Sequence, residues 1–346
     1  MDIGIIGAGL SGLVAAKILS DGGHSVRVYE REQTVGGRLA SMKAGSTNDV
    51  IVDHRESCFA AHDPEFKKFV DELTDKGILG IWDDHFPFFN GEEFEERYPA
   101  REDEDYYYAP AGMDQIGKYL SRWVDVAENE RVGGFTFIGR DRHIKKPWIL
   151  NLTSSDVYEL DAVIIATPAP QAYGLINSSQ DETDIKKLIT DLEYIKYNSC
   201  FSMVLVYEGA KQPDWKAIEC SSAEVDWIIN ESSKRDTGDN SVFVIHSSHD
   251  YYVSHHAQKQ QETIRQLLNA AAKIAGDWIT KPDWTDIHHW KYRQPINPLE
   301  KPFLEIDRTD GTLALIGDYY NGKTIEAAYL SGTALAKHWL ERFPMK

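Results

Sequence analysis

The chain has 346 residues, of which 42% are hydrophobic, 27% charged and 11% aromatic, which leaves room for a substantial core in two domains or in one large domain with an insert. Lys and Arg number 37 against 55 Asp and Glu, and the formal charge of −18 argues against nucleic acid as the main partner and against adhesion to an anionic membrane. Cys58, Cys200 and Cys220 show no CxxC spacing, so neither a disulfide framework nor a zinc site is expected.

The N-terminus lacks the basic region of a signal peptide, and no stretch nears the ~20 apolar residues of a membrane span. A cytoplasmic protein without a membrane partner is the expectation. Residues 3–6 read as a buried strand, 10–20 as a helix ended by "DGGH", and "SVRVYE" as a second strand ending at Glu30. "PEFKKFVDELTDKGI" has helical spacing, with Phe66, Phe69, Val70 and Leu73 on one side. The acid- and aromatic-rich segment 85–108 is expected to hold short strands and turns. A helix is expected over 113–126, and "YELDAVIIATPAPQ" reads as one buried strand stopped by prolines. Strands follow in "SCFSMVLVYE", "EVDWIINE" and "SVFVIHSS", then a long amphipathic helix in "KQQETIRQLLNAAAKIAGDWI". "GTLALIGDYY" is a strand and turn, and "IEAAYLSGTALAKHWLERF" a closing helix. Nucleotide-type elements thus lie at both ends, with a strand-rich middle between them.

Gly7, Gly9 and Gly12 form G-x-G-x-x-G between the first strand and helix. The first glycine permits the tight turn, the second lets a pyrophosphate reach the backbone, and the third lets helix and strand pack closely. The helix N-terminus offers N–H groups to phosphate, and Glu30 stands where an acid binds ribose hydroxyls. Gly36, Gly37 and Arg38 offer a second place for backbone and guanidinium to meet the pyrophosphate. At the far end, Gly317 and Asp318 close a strand. The next helix carries Glu326, Ala327 and Ala328 in its first turn, where its N-terminus can face a flavin pyrimidine.

These residues, with "ATPAPQ" at 166–171, resemble the FAD-dependent amine-oxidase-type superfamily. "PAGMDQI", "EVDWIINESSK", "VFVIHSS" and "HHWKYRQP" are most similar to its renalase family, particularly the bacterial members. One departure stands out: Arg55, Glu56 and Ser57 occupy the place of a Gly-Ala-Gln segment. The resemblance implies an α/β (α+β two-domain) fold like that of p-hydroxybenzoate hydroxylase, a Rossmann-like FAD-binding domain with an inserted β-rich substrate domain. The FAD-binding domain is expected over 1–75, 108–170 and 286–346, and the substrate domain over 76–107 and 171–285. FAD is expected without a covalent link. The same resemblance adds Leu10, Ser11, Arg31, Val132, Thr167 and Pro168 to the cofactor-binding set. It implies a small-molecule dinucleotide partner, an isomer of NAD(P)H, whose hydride passes to flavin N5 and then to oxygen.

Such a donor needs orientation and exclusion of water rather than a nucleophile. His246 is a candidate for orienting substrate or a structural histidine. Trp290 and Tyr292 form either a wall for a flat ring or ordinary core. Asn230, Lys234 and Arg293 either meet substrate phosphate or carboxamide or face solvent. His249, His255 and His256 lack metal-ligand spacing, and no metal is expected. Two alternatives stay open. The first is a flavin oxidase for an amine, a polyene or a porphyrinogen, with Lys291 the lysine nominated for an amine. The second is a flavin-bearing redox sensor without turnover.

Overall fold

A computed structural model describes residues 1–82, 86–98, 105–139, 146–179, 185–209, 213–306 and 311–345. The opening apolar run forms the strand Asp2–Ile6. It reads as nearly continuous hydrophobics because it lies at the centre of a parallel sheet covered on both faces. Ser25–Tyr29 pairs with it on one side and Ala162–Ile165 on the other, and Thr312–Leu315 joins beyond, all in parallel. Asp125–Ala127 and the antiparallel Leu304–Ile306 form the edges of this six-stranded sheet. The helices Leu10–Asp21 and Ile325–Arg342 touch at Gly332, where a Cβ would stand 2.4 Å from the Ser11 carbonyl oxygen. The two chain ends therefore meet in one Rossmann-like layer.

A second sheet of seven strands runs in the order Trp284–Pro295, Tyr197–Glu208, Asn240–Ser247, Val225–Asn230, Ala217–Cys220, Phe88–Phe89 and Phe94–Glu95. Alternation sorts its two faces. Phe243 and Ile245 pack with Leu267, Leu268 and Ala271 of the amphipathic helix Gln260–Ala275. Val242 and Val244 turn the other way, onto Val50, Val52, Trp82 and Phe86. The result is the expected mixed α/β fold, a Rossmann-like part with a β-rich part inserted.

Three local expectations need correction. The helix expected over 113–126 is Asp114–Ser121, because Val126 is required as a partner for Val28 in the six-stranded sheet. The single strand read through 158–165 is two. Val157–Leu160 pairs with Trp148–Leu152, and Asp161 breaks the run by accepting the Asp2 N–H at 2.8 Å. The boundary drawn between 285 and 286 falls inside the strand Trp284–Pro295. In segment 85–108, Phe88–Phe89, Phe94–Glu95 and Tyr107–Tyr108 are strands, and residues 85 and 99–104 lie outside the described residues. Among the described residues, no helix is long and apolar enough to cross a membrane.

Candidate functional site

The glycine turn joins strand Asp2–Ile6 to helix Leu10–Asp21. Gly7 has φ +105°, and its N–H donates to the Tyr29 carbonyl at 2.9 Å. A Cβ on Gly12 would stand 2.2 Å from the Gly7 carbonyl oxygen, so this glycine permits the close packing. Gly9 differs: a Cβ there would meet no protein atom within 4 Å. Gly37, at φ +56°, comes against Gly9, its own Cβ position 3.2 Å from the Gly9 Cα. Glu30 is buried and accepts the Ala8 N–H at 2.8 Å and the Glu32 N–H at 3.0 Å. One oxygen thus braces the turn while the carboxylate keeps lone pairs for further donors. Thr167 adjoins Gly7, and its Oγ1 is buried without a hydrogen-bond partner. Pro168 caps the helix Ala169–Asn177.

Arg38 leads from this turn to the other end of the chain. Its Nη1 donates to Asp318 Oδ2 at 2.6 Å and to the Arg293 carbonyl at 3.2 Å. Burial works against its charge, but Asp318 outweighs that and raises its pKa. Asp318 Oδ1 is buried and unpartnered. Gly317 gives its N–H to Ser331 Oγ at 3.1 Å, and a Cβ there would strike the Tyr319 ring.

Arg293 continues the chain of contacts. Its Nη1 donates to Asp226 Oδ2 at 3.1 Å, and its Nη2 lies 3.5 Å from His246 Nδ1. His246 follows Val242 and Val244 on the strand face turned away from helix Gln260–Ala275. Burial and then the Arg293 charge push its pKa well down, so it is neutral, and its Nε2 has no partner. A bulge places Arg293. Between the pairs Asn198–Gln294 and Cys200–Trp290, one strand has one residue and the other has three. A second irregularity, between Val225 and Trp227, places Asp226. Trp290 faces Arg55, and Tyr292 packs edge-on to Tyr197 at 5.6 Å.

Glu56 reveals the space these groups enclose. It is open to water, yet it lies deep in the protein, a combination that an internal cavity accounts for. Arg38 and Arg293 share the combination, with side chains 32% and 29% exposed although surrounded by protein. Burial raises the pKa of Glu56, against the pull of Arg293 and Arg38. Burial likewise raises Asp226, with Arg293 opposing. Neither carboxylate stands among the candidate binding or catalytic residues named from sequence. Asp226 owes its placement to the irregular strand register, which no periodicity foretells, and the signal for Glu56 was the departure at 55–57.

The remaining expected residues are placed as follows. Asn230 is paired across the strands with Phe243, on the helix-covered face, and its Nδ2 donates to the Trp215 carbonyl at 3.3 Å. Lys234 is wholly buried, bonded to Glu231 at 2.5 Å and to the Ser57 carbonyl at 2.8 Å, so it does not line the cavity. Glu326 accepts the N–H groups of His62 and Asp63, at 2.7 and 3.0 Å, and so braces the start of helix Pro64–Asp75. Ala327 and Ala328 are buried in the first turn of helix Ile325–Arg342. Leu10, Ser11 and Val132 have buried side chains, and Arg31 is exposed beside Glu32. Among the described residues no group of three His, Cys, Asp or Glu gathers as a metal site would.

His54 gives a pH prediction. Burial, Arg55 and His288 push its pKa down to about 3, against 6.5 for an ordinary imidazole. The unfolded chain takes up this proton near pH 6.5 and the folded chain only near pH 3, so stability is present above pH 6.5 and lost as pH falls through that window. Between pH 7 and 5 His54 alone should withdraw about 2 kcal/mol. Urea unfolding at both pH values should show a shallower loss for His54→Asn than for the parent. Equal slopes would contradict the assignment.

Comparison with known proteins adds the following. The family model described as "Flavin containing amine oxidoreductase" matches residues 90–338, and that described as "NAD(P)-binding Rossmann-like domain" matches 5–73. A 4,4'-diapophytoene desaturase (4,4'-diaponeurosporene-forming) of Staphylococcus haemolyticus (strain JCSC1435) is 36% identical over 90 residues, 25% of this chain and 18% of that protein. The chain thus matches less than a fifth of that relative's length. Wild-type putrescine oxidase bound to putrescine superposes with a TM-score of 0.75 at 14% identity, covering 99% of both chains. Cyclohexylamine oxidase from Brevibacterium oxydans IH-35A gives 0.74 at 12%, with the same coverage. Both structures speak to the fold.

The residues present fit a bound dinucleotide. Gly9 fronts open space, and Thr167 Oγ1 and Asp318 Oδ1 are buried polar atoms awaiting a partner.

Proposed function

This chain belongs to the flavin containing amine oxidoreductase family, with FAD as its non-covalently held cofactor, and on that premise we propose that it is an oxidase of the renalase type. Its donor is a dihydronicotinamide, an isomeric form of NAD(P)H, and oxygen is the final acceptor. FAD, when bound, accepts a hydride at N5. The chain's own part is to hold the donor ring and keep water out. In this reading the six-stranded part holds the cofactor and the seven-stranded part the substrate. Gly7, Gly9, Gly12, Gly37, Arg38, Glu30 and Asp318 serve FAD. His246, Arg293, Trp290 and Tyr292 serve the donor. A neutral His246 whose Nδ1 faces the Arg293 guanidinium carries its proton on Nε2 and can donate it to a carboxamide oxygen, and Arg293 supplies a fixed cation. We place the protein in the cytoplasm, where cysteines outside disulfides, such as Cys58, Cys200 and Cys220, are the rule.

The observation that carries this reading is the lysine supply. Lys291, the lysine nominated for amine chemistry, is exposed, and Lys234 is engaged by Glu231 and Ser57. A ready hydride donor needs neither. A second reading, oxidation of a cationic amine, draws support from the enclosed carboxylates Glu56 and Asp226, which would attract an ammonium group.

Anaerobic mixing of the holoenzyme with 2- and 6-dihydro isomers of NAD and NADP, with ordinary NADH and NADPH, and with several amines separates the two. Bleaching of the flavin within seconds by a dihydronicotinamide is the expected result, and Lys291→Met should leave its rate unchanged. Bleaching by amines alone would overturn the proposal.

A further inference from the structure

Each half-buried guanidinium of the site but one has its own carboxylate. Arg38 has Asp318, Arg293 has Asp226, and Arg235 has Asp53 with Glu231. Arg55 has none among the described residues. Its Nη1 donates to the Gly37 carbonyl, its Nε is buried without a partner, and its Cζ lies 3.8 Å over the Trp290 ring. Burial pulls its pKa down to about 10; Glu32 opposes as the strongest nearby charge, without forming an ion pair, and Arg38 and Arg31 add to the lowering while Glu30 opposes. Partly burying a charge without a carboxylate is costly, so a guanidinium kept in this state is suited to an anion that is not part of the chain.

The neighbouring backbone shows where that anion lies. The carbonyl that receives Arg55 belongs to Gly37, and Gly37 touches Gly9, the glycine that fronts open space at the start of a 12-residue helix. A dinucleotide brought to Gly9 puts its pyrophosphate within reach of this guanidinium.

We propose that Arg55 is a cofactor-binding residue whose missing partner is the pyrophosphate of FAD, and that Trp290, stacked on it from the seven-stranded sheet, latches the cofactor in place. The claim concerns cofactor retention and does not depend on which donor is oxidised. It also gives the departure at 55–57 a purpose: the arginine adds a second cationic contact, beside Arg38, to the grip made by Gly37 and Arg38.

The test is Arg55→Gln, read by two quantities other than turnover. Substituting a neutral side chain removes an uncompensated half-buried charge, so the FAD-free variant should unfold at higher urea concentration than the FAD-free parent. The same variant should bind FAD about 10- to 100-fold more weakly, the factor for one charge-assisted hydrogen bond. ADP-ribose, which carries the pyrophosphate without the isoalloxazine, should lose affinity by a similar factor. Trp290→Leu should speed FAD dissociation from the holoenzyme. Unchanged FAD affinity in Arg55→Gln would overturn the proposal, as would a less stable FAD-free variant. Weakened FAD with unweakened ADP-ribose would move Arg55 to the flavin end and overturn it too.

Discussion

Gly9→Val will yield a folded protein without yellow colour, whereas Gly12→Ala will not yield a normally stable one. The two glycines sit three residues apart in one motif, but they answer to different neighbours. Gly9 has φ −74° and ψ 176°, extended backbone open to any residue, and a Cβ there meets no protein atom within 4 Å. A branched side chain at this point strains nothing in the chain itself. It fills the space through which the pyrophosphate must approach the backbone. Affinity for FAD should fall by at least ~100-fold, roughly 3 kcal/mol. At Gly12 the added carbon would stand 2.2 Å from the Gly7 carbonyl oxygen and 3.1 Å from Ala166 Cβ. Both are parts of the strand–turn–helix frame, so the helix must move away from the sheet, at a cost on the order of 1–3 kcal/mol or more. Flavin absorbance of the purified variants, beside their urea midpoints, checks both statements. A yellow Gly9→Val protein would place the cofactor elsewhere.

What the sequence made legible is what local geometry alone decides. The glycine turn, Glu30 and the helix Pro64–Asp75 with its buried Phe66, Phe69, Val70 and Leu73 are set by periodicity and by residues close in the chain. The strand parity that carries His246 to the same face as Val244 is equally local. Legibility stops where register breaks. Arg293 and Asp226 meet only because two strands carry bulges, and alternation cannot forecast a bulge. Asn230 differs for the opposite reason: its strand is regular there, and parity turns it to the helix-covered face. Lys234 read as a free cation because its partners, Ser57 and Glu231, include a residue 177 positions away. Glu56 and Arg55 were visible as an anomaly, but their surroundings come from Trp290 and Arg293, more than two hundred residues on.

The largest stability effect is expected at the ionic cluster where the two sheets' territories join. Asp53 accepts Ser41 Oγ at 2.6 Å and the Met113 N–H at 2.9 Å, and it receives the Arg235 guanidinium. Its own N–H donates to Glu231 Oε2 at 3.0 Å, and Lys234 joins Glu231 to the Ser57 carbonyl. Two acids and two bases balance, all with side chains at most 7% exposed. Arg235→Met leaves two carboxylates facing one ammonium without water, and removing one partner of such a buried set costs about 3–5 kcal/mol. Asp53→Asn should cost a comparable amount. The double variant restores neutrality around Glu231 and Lys234, so its loss should fall well short of the sum of the single losses. Urea unfolding of the four proteins measures this, and strictly additive losses below ~1 kcal/mol would show that the cluster is not a unit. Its position makes the result bear on function. Asp53 and Ser57 bracket Arg55 and Glu56, so the cluster holds the turn that brings one charge to the phosphate grip and the other to the cavity. A weakened cluster should therefore loosen FAD as well as the fold, even though none of its four ionic members lies at Gly9.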